Sequence, residues 1–155
     1  MHAIIRGAIA VIVCYGAGII GTLFTAAISG WYQTLAKPIF NPPAWVFAPV
    51  WMILYGLMSI ALIRVWSQAR TSHAAKNWVW IFFLHLVFNT AWSILFFGLH
   101  SIVFALIDIF ALLGFIVYLS IKAWKIDRIA YYLMLPYLAW VSFATVLTVS
   151  IWWLN

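Results

Sequence analysis

The chain has 155 residues, of which 68% are apolar and only 6% are charged. Soluble globular domains carry about 25% charged residues, so the composition excludes that class and disordered proteins as well. Five membrane-spanning helices need roughly 100 apolar residues in all, which is close to the apolar total of this chain.

The shortage of acids and thiols removes several kinds of chemistry. Asp108 and Asp127 are the only acidic residues, too few for a paired-carboxylate glycosidase or a two-metal site. The single Cys14 excludes an internal disulfide and a Cys-based zinc cluster. We therefore predict no metal site and no required cofactor.

Five apolar runs predict an all-α integral membrane protein, a five-helix bundle in which residues 1–155 form one domain. The predicted spans are residues 4–28, 43–66, 78–97, 102–121 and 129–154. The first run is long for a signal peptide and four more follow, so we interpret it as a retained span. Predicted helix starts are Asn41 with Pro42, Asn77, Ser101 and Asp127.

The small residues of span 1 recur every fourth position, which favours close helix approach within the bundle or between protomers. They are Ala10, Cys14, Gly18, Thr22 and Ala26.

The loop of residues 29–42 predicts a short amphipathic helix. Trp31, Tyr32 and Leu35 are spaced for one amphipathic turn lying on the bundle. Such a turn either covers a pocket between the helices or anchors the chain at the membrane interface, where Trp and Tyr are enriched.

Spans 2 and 5 each carry an aromatic face with polar groups at its edge. These faces contain Phe47, Trp51, Tyr55 and Ser59 in span 2, and Pro136, Trp140, Ala144 and Thr148 in span 5. Two such faces either clamp a large flat apolar ligand by stacking or make ordinary aromatic packing.

Spans 3 and 4 place polar side chains at membrane depth, where they normally face the bundle interior or a cavity. His85, Asn89 and Trp92 share one face of span 3. Asn89 either contacts a ligand or hydrogen-bonds another helix, and a structural role is favoured for His85 over haem ligation. Three roles stay open for Asp108 of span 4: binding a cation, pairing with His85, or hydrogen-bonding as a neutral acid.

The basic residues predict the orientation. One side of the membrane would hold Arg6, Arg64, Arg70, Lys76, Lys122, Lys125 and Arg128, and the other side only Lys37. By the positive-inside rule the N-terminus is cytoplasmic and the C-terminus outside, if the host is a bacterial inner membrane. This split explains the net charge of +6 without a nucleic-acid partner.

Three blocks of residues resemble the tryptophan-rich sensory protein family, which includes the translocator protein, or peripheral benzodiazepine receptor. The blocks are Trp31-Tyr32 with Lys37-Pro38, Asn41 to Phe47, Trp51 and Tyr55; Phe88 to Trp92 with Phe96-Phe97-Gly98; and Pro136 to Trp140 with Ala144-Thr145. Their order and spacing extend the resemblance over nearly the whole chain.

The resemblance implies a homodimer that binds tetrapyrroles such as protoporphyrin IX and haem, and isoquinoline or benzodiazepine drugs. The pocket residues it implies are Trp51, Tyr55, Asn89 and Trp140, with Trp31 and Tyr32 from the lid and Ala144 at the floor or a sterol-sensitive surface. The cholesterol-recognition sequence that animal members carry in span 5 is absent.

We hypothesise a membrane receptor or sensor for tetrapyrroles. One alternative is a transporter of porphyrins or other lipophiles with Asp108 as the coupling group. Another is an enzyme that slowly degrades porphyrin in light, for which Trp51 and Trp140 would be the catalytic candidates. The predicted ligand-binding set also includes Phe47, Trp92 and Asp108.

Overall fold

A computed structural model describes residues 2–26 and 30–155. Its elements are α1 (His2–Ala26), α2 (Trp31–Thr34), α3 (Ala44–Gln68), α4 (His73–Ser93) with a π-helical last turn (Ile94–Gly98), α5 (Ile102–Ile126) and α6 (Arg128–Leu154). The predicted end of span 1 at residue 28 lies outside the described residues.

Five of these helices are long and apolar enough to cross a membrane. Their outward surfaces carry large apolar side chains, for example Ile12, Leu23 and Phe104, each more than half exposed. Lipid is the solvent that such a surface requires. The predicted all-α integral membrane bundle is confirmed, together with the short helix α2 in the first loop.

The helices form a closed ring. In that ring α5 packs between α4 and α6, α6 packs on α3, and α1 lies against both α3 and α4. All seven basic residues outside the first loop belong to the end of the bundle where α4 and α6 begin. The membrane orientation predicted from this split stays a prediction.

Two of the four predicted helix starts are correct and two are wrong. Ser101 and Asp127 occupy the N-cap positions of α5 and α6. Asn41 does not cap α3, which begins after Pro43. Asn77 lies one turn inside α4, because the Ser72 hydroxyl accepts the Ala75 amide and starts the helix earlier. The polar first turn of α4 extends beyond the apolar run that defined the predicted span.

Asp127 joins the basic ends of α3 and α6. Its carboxylate accepts from Arg64 Nε at 3.0 Å, from Arg64 Nη2 at 3.0 Å and from the Ala130 amide at 2.9 Å. Burial by itself would raise the pKa of Asp127, but the hydrogen bonds and the charge of Arg64 outweigh it and hold this pKa below its usual range. A bidentate Arg–carboxylate pair fixes both distance and direction between two helix ends.

Small residues let α1 approach the bundle, as predicted for Ala10, Cys14 and Gly18, which are buried. A Cβ atom added at Gly18 would lie 2.4 Å from Cε2 of Tyr55. The stripe does not continue through Thr22, which is exposed, and the contact face passes instead to Gly21, whose added Cβ would lie 3.1 Å from the Ser93 hydroxyl. Thus the backbone of α1 rests directly on the ring of Tyr55.

Gly18→Ala should therefore destabilise the protein by about 1–3 kcal/mol, the usual cost of overpacking a tight site. The matched control is Gly16→Ala, because nothing lies within 4 Å of a Cβ atom added there. Thermal unfolding in detergent is monitored through the reaction of Cys14 with a fluorogenic thiol dye, because this buried thiol becomes accessible when the protein unfolds. Equal midpoints for the two variants would contradict the close contact at Gly18.

Candidate ligand-binding site

A chain of hydrogen bonds crosses the interior of the bundle and joins three helices. The Tyr55 hydroxyl of α3 donates to Asn89 Oδ1 of α4 at 2.8 Å, and Asn89 Nδ2 donates to the Tyr137 hydroxyl of α6 at 3.0 Å. All three side chains are buried. The one amide group therefore satisfies two phenols where lipid supplies no hydrogen-bond partner.

Aromatic rings surround this hydrogen-bonded chain. Trp51 stacks on Tyr55 with centroids 5.4 Å apart and meets Tyr137 edge-on at 6.2 Å. The predicted residues Trp51, Tyr55 and Asn89 thus lie together. Sequence reasoning left Tyr137 out of the candidate site, although it lies within the resemblance block of span 5. A polar side chain in an otherwise apolar span was the signal that could have included it.

The first loop folds onto the end of the bundle and covers this interior. Trp31 and Tyr32 contact the buried ring of Phe96 at centroid distances of 5.6 and 6.1 Å, and Trp92 stacks on the same ring at 5.1 Å. Trp31 also stacks on His100 at 4.5 Å. We call Trp31, Tyr32, Trp92 and Phe96 the lid cluster.

Hydrogen bonds hold the loop in this position. The Asn155 side chain accepts from the Ala36 amide and donates to the Ala36 carbonyl, both at 3.0 Å. The Tyr32 hydroxyl donates to Asn41 Oδ1 at 2.8 Å. Asn41, predicted as a helix cap, instead stabilises the fold of the loop.

The remaining candidates on α3 and α6 lie between the hydrogen-bonded chain and the loop. Phe47 meets Trp140 edge-on at 5.8 Å, and Ala144 is partly buried. The most buried face of α6 matches the predicted one only in part, because Thr148 is buried whereas Trp140 and Ala144 are half-buried. It runs through Tyr137 and Val141, whereas Pro136 is exposed.

Within the described part of the chain, four buried side-chain polar atoms have no hydrogen-bond partner. They are Nε2 of His85, Nε1 of Trp92, Oδ2 of Asp108 and Oγ of Ser120. His85 uses its other ring nitrogen, Nδ1, with the carbonyl of Phe82. Among the described residues no ion pair joins Asp108 to His85, so that predicted alternative for Asp108 is wrong.

An aromatic, hydrogen-bonded interior inside five membrane helices, closed by a folded loop, is an arrangement suited to an intramembrane receptor or sensor of small molecules. The model of the TspO/MBR family matches residues 10–154. The chain belongs to this family, as the three resemblance blocks predicted. Membership supports a receptor or sensor role in the membrane.

Proteins from distantly related organisms are similar in sequence to this chain over most of its length. It is 39% identical over 143 residues to the tryptophan-rich protein TspO of Chlorobaculum tepidum, covering 92% of this chain and 90% of the relative. It is 40% identical over 139 residues to the protein of the same name from Archaeoglobus fulgidus, covering 89% of each. The translocator protein of Homo sapiens is 32% identical over 123 residues, covering 79% of this chain and 73% of the human one.

Asn155→Ala should loosen the first loop, because it removes both side-chain bonds to Ala36. We expect amide hydrogen exchange in peptides covering residues 30–42 to become roughly fivefold faster. This factor corresponds to a decrease of about 1 kcal/mol in the free energy needed to open the loop. Ser150→Ala is the control, since its hydroxyl bonds only within α6. Unchanged exchange in Asn155→Ala would show that aromatic contacts alone hold the loop.

Proposed function

We propose that this protein is a receptor for planar, largely apolar tetrapyrroles such as protoporphyrin IX or haem. The ligand would occupy the space beneath the first loop, between α3, α4 and α6. Isoquinoline and benzodiazepine drugs have flat aromatic systems too and would compete for the same space. The homodimer implied by the family resemblance stays a prediction.

The observation that carries the proposal is the buried chain Tyr55–Asn89–Tyr137 beneath the ring of Trp51. Its aromatic faces offer stacking surface to a macrocycle, and its amide and hydroxyls offer polar groups that fix orientation. Ligand sites generally combine these two elements: a predominantly apolar lining and a few placed polar groups.

Binding requires contacts in the closed structure to open. The lid cluster holds the loop on the bundle, and the pair Phe47–Trp140 packs between α3 and α6. Each aromatic pair contributes only about 0.5–1.5 kcal/mol to stability. Stacking of the same rings on a macrocycle would therefore offset the contacts that open on binding. The unpartnered Nε1 of Trp92 supplies a hydrogen-bond donor for a carboxylate or carbonyl of the ligand.

Titration with protoporphyrin IX tests the proposal. Tryptophan fluorescence of the detergent-solubilised protein should be quenched saturably. Trp51→Phe and Trp140→Phe should each raise the Kd about three- to tenfold, the factor expected for loss of one good aromatic contact. The comparison uses the Kd rather than the amplitude of quenching, because each variant also removes a fluorophore.

Trp45→Phe is the matched control. Trp45 lies on α3 within two turns of Trp51 but is 74% exposed, so its loss should leave the Kd unchanged. Linear quenching, or the same Kd in all variants, would mean nonspecific partitioning of porphyrin and would refute the proposal.

Transport of the same ligands is the second candidate function. It is favoured by Asp108, a buried carboxylate in the first half of α5 whose Oδ2 has no partner. An ionisable group inside a membrane is a candidate for ion coupling.

In proteoliposomes, Asp108→Asn should then abolish the dependence of porphyrin flux on a pH gradient while porphyrin still binds. Flux no greater than in empty vesicles would eliminate transport, and unchanged flux would eliminate Asp108 as the coupling residue.

A further inference from the structure

A surface depression opens at the basic end of the bundle, opposite the first loop. It has a volume of about 340 Å³ and lies between α1, the end of α3 and the start of α4. Its lining consists of three cations and a set of apolar, mainly aromatic, side chains: Arg6, Arg70 and Lys76 with Trp66, Ala69, Val79, Trp80 and Phe83. The volume falls in the range of small-molecule sites.

The three cations have no carboxylate available to them in this chain. The sequence contains two acidic residues. One of these, Asp127, is bound to Arg64, and the other, Asp108, is buried in the half of α5 nearest the first loop. Arg6 donates one hydrogen bond, from Nη1 to the Trp66 carbonyl at 3.4 Å. The depression therefore concentrates uncompensated positive charge contributed by three separate segments.

The apolar wall continues from the charged rim toward the middle of the membrane. Lys76, Trp80 and Phe83 follow one another at helical spacing on one side of α4. Phe83 meets Trp66 edge-on at 5.5 Å, and Trp80 is 68% exposed. Charge at the rim with aromatic surface below it matches an amphiphile that has an anionic head and an apolar tail.

We infer that this depression binds an anionic phospholipid. Arg6, Arg70 and Lys76 would contact the phosphate, and Trp80 and Phe83 would contact the acyl chains. Basic pockets between helices at the membrane surface are suited to acidic headgroups. The depression at the other end of the bundle provides a contrast, because it is larger, about 430 Å³, but none of its lining residues is charged.

A lipid held here would connect α1 to α3 and α4. Apart from this region, α1 packs on α3 and α4 through its small residues, and many of its large apolar side chains are exposed on the outside of the bundle. A ligand that binds only the folded protein stabilises it by RT ln(1 + c/Kd), where c is the free ligand concentration, so the stabilisation rises with the logarithm of that concentration once it exceeds Kd. Bound phospholipid should therefore raise the thermal midpoint of the whole bundle.

The experiment compares two charge-matched triple variants. Arg6→Gln/Arg70→Gln/Lys76→Gln removes the cations of the depression. The control, Lys122→Gln/Lys125→Gln/Arg128→Gln, removes the same charge from the same end of the bundle but from α5 and α6. Native mass spectrometry in detergent then gives the affinity of each protein for dioleoyl phosphatidylglycerol and for dioleoyl phosphatidylcholine.

We expect wild type and the control triple to prefer phosphatidylglycerol. The depression triple should lose at least tenfold in affinity for that lipid, since each basic group near an anionic surface contributes about a fivefold factor. Added phosphatidylglycerol should raise the thermal midpoint of wild type and of the control only. If the depression triple fails to fold, the single variant Lys76→Gln serves in its place, because Lys76 is exposed, with an expected loss of about fivefold.

Several results would overturn the inference. Equal loss in both triples would mean nonspecific attraction to net charge, and equal binding of phosphatidylcholine would mean an acyl contact without headgroup recognition. Displacement of the lipid by inorganic phosphate would indicate a site for soluble anions. Displacement by protoporphyrin IX, whose carboxylates are also anionic, would assign the depression to the porphyrin.

Discussion

The amide of Asn89 is the group on which the arrangement of the helices depends. It accepts from one buried phenol and donates to another, and so positions α3 and α6 relative to α4. In water such bonds would compete with solvent. Inside a bilayer the alternative for each group is to remain unpaired, which costs several kcal/mol. The three helices therefore have one favourable arrangement around this residue.

Other features of the fold serve the same interior. Gly18 carries no Cβ, which leaves room for the ring of Tyr55 that bonds Asn89. At the basic end, Asp127 fixes α6 to α3 through Arg64. The interior of the bundle is thus defined by a few polar contacts, whereas aromatic packing fills the volume between them.

The number of helices, their approximate limits and most of the buried polar residues followed from the sequence, because apolar runs of membrane length have few other interpretations. The start of α4 did not, and the inward face of α6 followed only in part, at Thr148. Helices that are apolar all round carry little periodic signal, so Trp140 and Tyr137 were equally good choices for the interior. Polar side chains were better guides, as Asn89 shows.

The placement of the loop was predictable only in outline. The spacing of Trp31 and Tyr32 predicted a turn lying on the bundle, but the partners that hold it come from distant positions. Asn41 illustrates the difficulty, because its position before two prolines suits a helix cap and its side chain instead meets Tyr32. No local pattern links Ala36 to Asn155, which is 119 positions away.

That long-range contact gives α6 a mechanical property. Tyr137 sits in the interior and Asn155 at the surface, roughly 27 Å apart at the rise of an α-helix. A regular helix is stiff over such a distance, so a rotation or shift of α6 at Tyr137 has to move or break the bonds at Ala36. The packing around Tyr137 is thereby connected to the shape of the first loop through one stiff helix.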